Sequence, residues 1–160
     1  MTQSKTLRRW ELALLLGVAL AALLGVWLDG AQAALSDRVI RLHVLANSDS
    51  EADQALKLRV RDAVLAEAEE LFVPGAGRAE TEELLRAHLY DLAAAGAEVV
   101  GEAGYSYPVT ASLVHDYWFP PKTYTDFALP AGAYTALRIE IGAGGGQNWW
   151  CVVFPPLCLG

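Results

Sequence analysis

The stretch "RVIRLHVLANSDSEADQALKLRVRDAV", residues 38–64, changes its period halfway along, and that change decides the fold. Ile40, Leu42, Val44 and Ala46 alternate with Arg41 and His43, the two-residue repeat of a strand with one apolar and one polar face. A polar second face predicts a sheet covered on one side only, with His43 at its surface. Beyond the corner the spacing becomes helical. Leu56, Val60, Ala63, Val64 and Leu71 form one stripe, and Leu58, Leu65 and Phe72 a second. The stripes point in separate directions, so a helix over 51–72 is expected to pack on the sheet and on another helix.

The corner itself carries the polar residues. Ser50 followed by Asp53 resembles a capping box, and acidic residues at 51 and 53 suit the positive end of a helix dipole. Asn47 tolerates a left-handed turn. Asp49 shows no structural duty in the sequence, so the exposed part of this joint, Asn47 and Asp49, is a candidate partner contact.

Outward from this unit, "PGAGR" at 74–78 ends the helix. A second helix is expected over Glu82–Ala95 with Thr81 as its cap and Gly96 as a stop or kink, then a short third turn over 97–103 ending at Gly104. Strand patterns follow at 109–116, 126–130, 134–141 and 148–154. The order predicts an α+β fold: a mostly antiparallel sheet with two to three helices packed on one face, preceded by an N-terminal signal or anchor helix.

That N-terminal segment has Lys5, Arg8 and Arg9 ahead of an uncharged apolar run from Leu12 to Leu28, then the small residues "AQA" at 31–33. The run lies between a signal-peptide core and the roughly 20 residues of a spanning helix. Residues 1–33 are therefore read as a secretory signal peptide or a membrane anchor, and 34–160 as a single exported domain. In both cases the positive residues stay inside and the remainder is exported. The membrane is then met only through the N-terminal segment, if it is uncleaved.

Residues 1–33 hold three of the 12 basic and two of the 19 acidic residues, leaving nine against 17 in the exported part. Such a balance excludes nucleic acid, whose phosphates require clustered Lys and Arg. Cys151 and Cys158 are the two thiols, and an oxidising compartment favours their pairing as a disulfide. The intervening "VVFPPL" can fold the loop back or stiffen it against closure.

Catalytic and metal patterns are weak. Asn47, Asp49 and Glu51 match the first spacings of a calcium loop, but Ala52 stands where its glycine belongs and Leu58 where its final glutamate belongs. "GAGGGQN" at 142–148 lacks the lysine of a phosphate loop and leads into a strand, so it reads as a flexible hairpin loop. Cys151 with His115 or His43 is the one nucleophile and base that can be assembled, and no helix terminus activates the thiol. Neither a cofactor nor a metal is expected.

Aromatic residues are the stronger signal. Of 15 Phe, Trp and Tyr, 11 fall within 105–154. Trp149 and Trp150 are adjacent in a strand and must point to opposite faces. With Tyr117 and Trp118 of "YWFPP" they complete the candidate partner-binding set.

"VIRLHVLANSDSEADQALKLRVRDAVL", "GYSYPV", "YWFPPKTYTDFALPAGAYTALRIEIG" and "NWWCVVFPPLC", in this order, resemble the stage II sporulation protein R family over about residues 38–158. The resemblance implies a non-enzymatic signalling protein of endospore formation. Such a protein is made in the forespore and exported into the space between the two membranes. There it activates a membrane-embedded aspartic-type protease of the mother cell, which processes the precursor of sigma factor E. The alternative from the residues alone is a secreted hydrolase or thiol enzyme using Cys151 and a histidine.

Overall fold

The computed structural model describes residues 9–124 and 127–156, by backbone alone at 28, 29 and 31–33. It divides into two units, 1–35 and 36–160. The first unit consists of most of helix α1, Arg9–Ser36, whose portion Arg9–Trp27 has a mean hydropathy of 2.0 and is long and apolar enough to cross a membrane. It is equally compatible with a signal peptide.

The second unit is an α+β fold. Its elements are β1 (Ile40–Leu45), α2 (Glu51–Glu70), α3 (Arg78–Ala87), α4 (Leu89–Glu102), β2 (Val109–Phe119), β3 (Lys122–Thr123), β4 (Ala128–Leu129), β5 (Gly132–Ile141) and β6 (Asn148–Phe154). The main sheet has the order β2-β5-β1-β6, and β3 pairs with β4 apart from it. β2 runs antiparallel to β5 and β6 antiparallel to β1, while the central pair β1 and β5 is parallel.

Helix α2 starts where its cap predicts. Ser50 has extended backbone and its hydroxyl accepts from the Asp53 N–H at 3.1 Å. Val60 and Val64 then face Leu42 and Val44 of β1, Leu137 and Ile139 of β5, and Leu92 and Val100 of α4 in one core. Each such fully buried side chain stabilises the fold by about 1.5–3 kcal/mol, so this layer fixes α2 on both the sheet and α4.

The second helix departs from the expected boundaries. α3 begins at Arg78 after Gly77, with Thr81 inside it, where the Thr81 hydroxyl donates to the Gly77 carbonyl at 3.1 Å. The break falls at His88 (φ −110°, ψ 20°), and Gly96 lies within α4. A Cβ on Gly96 would come to 3.0 Å from Val109 and 3.1 Å from Val60, so the residue allows close helix–sheet packing where a stop was expected. The predicted end at Gly104 is observed, with φ at +81°.

The sheet is not covered on one side only. All six residues of β1 are buried, Arg41 and His43 included. Opposite the helices, the Arg41 guanidinium lies 4.0 Å over the Phe119 ring and 5.1 Å from that of Tyr134. His43 packs 5.1 Å from Tyr117 and 6.2 Å from Trp150. Arg and His have flat, partly apolar bodies, so rings can cover them although their alternation reads as a wet face.

A bulge in β2 makes this aromatic layer possible. Val114 pairs with Ala136 and Tyr117 with Tyr134, so His115 and Asp116 together oppose Thr135. Asp116 takes φ +53° to do so. Two residues against one shift the strand's parity, which turns Tyr117 and Phe119 from the helix side to the ring side.

Candidate partner-recognition site

The polar corner and the glycine-rich loop form one interlocked joint. Asp53 Oδ2 accepts from Asn47 Nδ2 at 2.9 Å and from Ser48 Oγ at 2.5 Å, and Gln54 Nε2 donates to the Ser48 carbonyl at 2.9 Å. From the loop, the Ala143 N–H donates to Asn47 Oδ1 at 3.0 Å and the Gln147 N–H to Asp49 Oδ1 at 2.8 Å. Buried Lys57 donates to the Gln147 carbonyl at 2.8 Å. Hydrogen bonds from Ser48 and Asn47 hold the Asp53 carboxyl below the usual aspartate range, and burial pushes Lys57 down.

Two expectations change here. Asp49 does have a structural duty, invisible in sequence because its partner lies 98 residues away. The segment 142–147 is no hairpin, since β1 lies between β5 and β6. Two of its glycines are needed for fit: a Cβ on Gly142 would stand 2.2 Å from Asn47 Oδ1, and one on Gly146 2.2 Å from the Ser48 carbonyl oxygen. Of the oxygens that resembled calcium ligands, those of Asn47 and Asp49 accept backbone hydrogen bonds from the loop, and among the described residues no group of three acidic, His or Cys side chains is placed to hold a metal.

The four aromatic candidates separate. Trp149, 37% exposed, stacks under the Arg61 guanidinium of α2 at 4.5 Å. Trp150 points the other way, 6.2 Å from Phe119, and joins Tyr117 through His43. Trp118 stands apart at 64% exposed, after the bulge.

Sequence reasoning missed what lies beside Trp118. Its cross-strand partner Ala133 lines a cleft of about 310 Å³ together with Ser36, Asp37, Arg78, His115, Asp116, Tyr134 and Thr135. Inside it Arg78 donates to the Thr135 hydroxyl, and Glu82 pairs with Arg78 at 3.1 Å and with Arg86 at 2.8 Å. His115 bridges Thr135 Oγ1 at 3.3 Å and Glu82 Oε1 at 3.4 Å. The bulge creates this arrangement, because it sets His115 and Asp116 together opposite Thr135. No sequence period announces a bulge; a polar pair inside an apolar strand was the available hint.

The nucleophile and base do not meet. Cys151 is disulfide-bonded, and Cys158 lies outside the described residues. His115 is on β2, at the opposite edge of the sheet from β6. Cys151 pairs with Leu42 and faces the helix-side core, whereas His43 pairs with Trp150 on the ring side. Contrary to its expected surface position, His43 is buried, its Nε2 2.8 Å from Asn148 Oδ1, and desolvation pushes its pKa below the ordinary histidine value.

Comparison with known proteins gives one consistent result. The family model for stage II sporulation protein R (spore_II_R) matches residues 36–160. The curated stage II sporulation protein R of Bacillus subtilis (strain 168) is 39% identical over 125 residues, covering 78% of this chain. The chain spans 55% of that relative's length. No solved structure matches the chain.

Proposed function

The chain belongs to the stage II sporulation protein R family, with a role in sporulation, and on that premise we propose that it is a signalling ligand with no turnover of its own. In this reading it is made in the forespore and exported to the space between the two membranes. It there biases a membrane-embedded aspartic-type protease of the mother cell toward its active state, and the protease processes the precursor of sigma factor E. A ligand achieves this by binding the active state more tightly than the inactive one, and needs no catalytic group.

The observation that carries the reading is Trp118, an exposed tryptophan on a strand beside a charged cleft. Trp and Arg are the residues that most often dominate binding energy at interfaces. The separation of Cys151 from His115 and His43 gives the thiol-enzyme alternative no support.

The test is a Trp118→Ala variant expressed in the forespore, read by accumulation of processed sigma factor. A lost interface anchor costs roughly 2 kcal/mol or more, about 30-fold in affinity. Processing should fall sharply while thermal stability stays within about 0.5 kcal/mol, the usual range for exposed positions. Unchanged processing would remove Trp118 as the contact.

A further inference from the structure

We propose that the cleft beside Trp118 receives a basic side chain, an arginine or lysine, from a segment of the partner protein. The inference rests on the ligand reading above and names the chemistry of its contact.

The charge inventory of the cleft supports it. Arg78 and Arg86 are both engaged by Glu82, and Arg86 also lies 3.9 Å from Glu83, so these four charges balance. His115 is held between Glu82 and Thr135. What remains is Asp37 and Asp116, two carboxylates lining the same cleft with no ion pair or hydrogen bond among the described residues. Both are exposed, whereas Glu82 is buried and engaged by the two arginines. The part of the cleft a partner meets is therefore negative.

An arginine matches this arrangement in shape as well as sign. Its planar fork can donate to two carboxylates, and its guanidinium and aliphatic stem can lie on an indole. Trp118 supplies that flat wall at the rim, next to Ala133. Asp116 is held in place by its bulge, so the carboxylate is positioned before the partner arrives, which lowers the ordering cost of binding.

The probe is the capped peptide acetyl-Ala-Ala-Arg-Ala-Ala-amide, titrated into the full chain in detergent micelles. The readout is the NMR shift of the Trp118 indole N–H, assigned by loss of the signal in Trp118→Phe. The control peptide carries citrulline, which has the same shape without the charge. The arginine peptide should give a saturable shift, and an Asp37→Asn, Asp116→Asn double variant should weaken it about tenfold or more, as expected for loss of charge-assisted hydrogen bonds. Asparagine accepts positive φ at least as well as aspartate, so the bulge survives this change.

Equal response to citrulline, or undiminished binding by the double variant, overturns the proposal and leaves the ligand reading untouched, since no protease is present. With the same double variant expressed in the forespore, little sigma factor should be processed by the protease. Normal processing there overturns the assignment of the cleft to this partner, even if the peptide binds.

Discussion

Two adjacent glycines provide a sharp test of the interlocked corner. A Cβ on Gly146 would stand 2.2 Å from the Ser48 carbonyl oxygen, 2.5 Å from its carbon and 2.9 Å from the Ala46 Cβ, where ordinary contact begins at 3.4 Å. The obstacle is backbone, so no rotamer change relieves it, and the loop must retreat by about 1 Å. That retreat strains the Gly146 N–H bond to the Ala46 carbonyl (2.9 Å) and the Lys57 bond to the Gln147 carbonyl (2.8 Å). Overpacking of this kind costs about 1–3 kcal/mol and a lost hydrogen bond about 1 more, offset by ~0.4–1 kcal/mol of reduced unfolded-chain entropy. Gly146→Ala should therefore lose about 2–3 kcal/mol, roughly 8–12 °C in Tm for a domain of this size. At Gly145 a Cβ meets only the Asn47 carbonyl oxygen at 3.5 Å, and neither glycine has a left-handed φ. Gly145→Ala should be neutral or up to about 1 kcal/mol stabilising. Thermal unfolding of the detergent-solubilised full chain by circular dichroism compares them. Equal Tm values for the two variants would refute the reasoning, because the corner would then be loose enough to absorb a methyl group.

Other outcomes follow from the same joint and from the ring layer. Ser50→Ala should cost about 1 kcal/mol through loss of the α2 cap, measured by urea unfolding. Asp49→Ala should cost about 0.5–1.5 kcal/mol by releasing the Gln147 N–H, and an unchanged stability would return Asp49 to a purely external role. His43 is held neutral by burial, so its folded pKa lies below the unfolded value of about 6.5. Unfolded chains then bind more protons, and the His43 contribution is complete above about pH 6.5 and lost as pH falls from there toward the folded value. His43→Gln should flatten this part of the stability profile; an unaltered slope would assign it to other groups.

The recognisable parts of the fold were those set by neighbours in sequence. Helix α2, its Ser50 cap, the end at Gly104 and the three long strands β2, β5 and β6 lie close to where period and punctuation place them, because such patterns report contacts within a few residues. Boundaries in the second helix were misread, since Gly96 looks like a stop locally but lies where α4 packs closely on Val60 and Val109. Of the candidate contacts, Trp118 and Trp149 are exposed, while Tyr117 and Trp150 meet around His43. Asn47 and Asp49 hold the 142–147 loop.

Sequence by itself determined the α+β class, the apolar N-terminal helix, the acidic balance and the family, all of which are carried by composition, period and long ordered motifs. Tertiary structure alone decided which polar residues are buried and which charges are spare. Arg41 and His43 are covered because the bulge at 115–116 turns Tyr117 and Phe119 onto their face, and the same bulge lines the cleft in which Asp37 and Asp116 have no ion pair among the described residues. Burial and pairing depend on side chains brought together from strands and helices far apart in the chain, and a local reading of alternation contains no term for a partner that arrives from elsewhere.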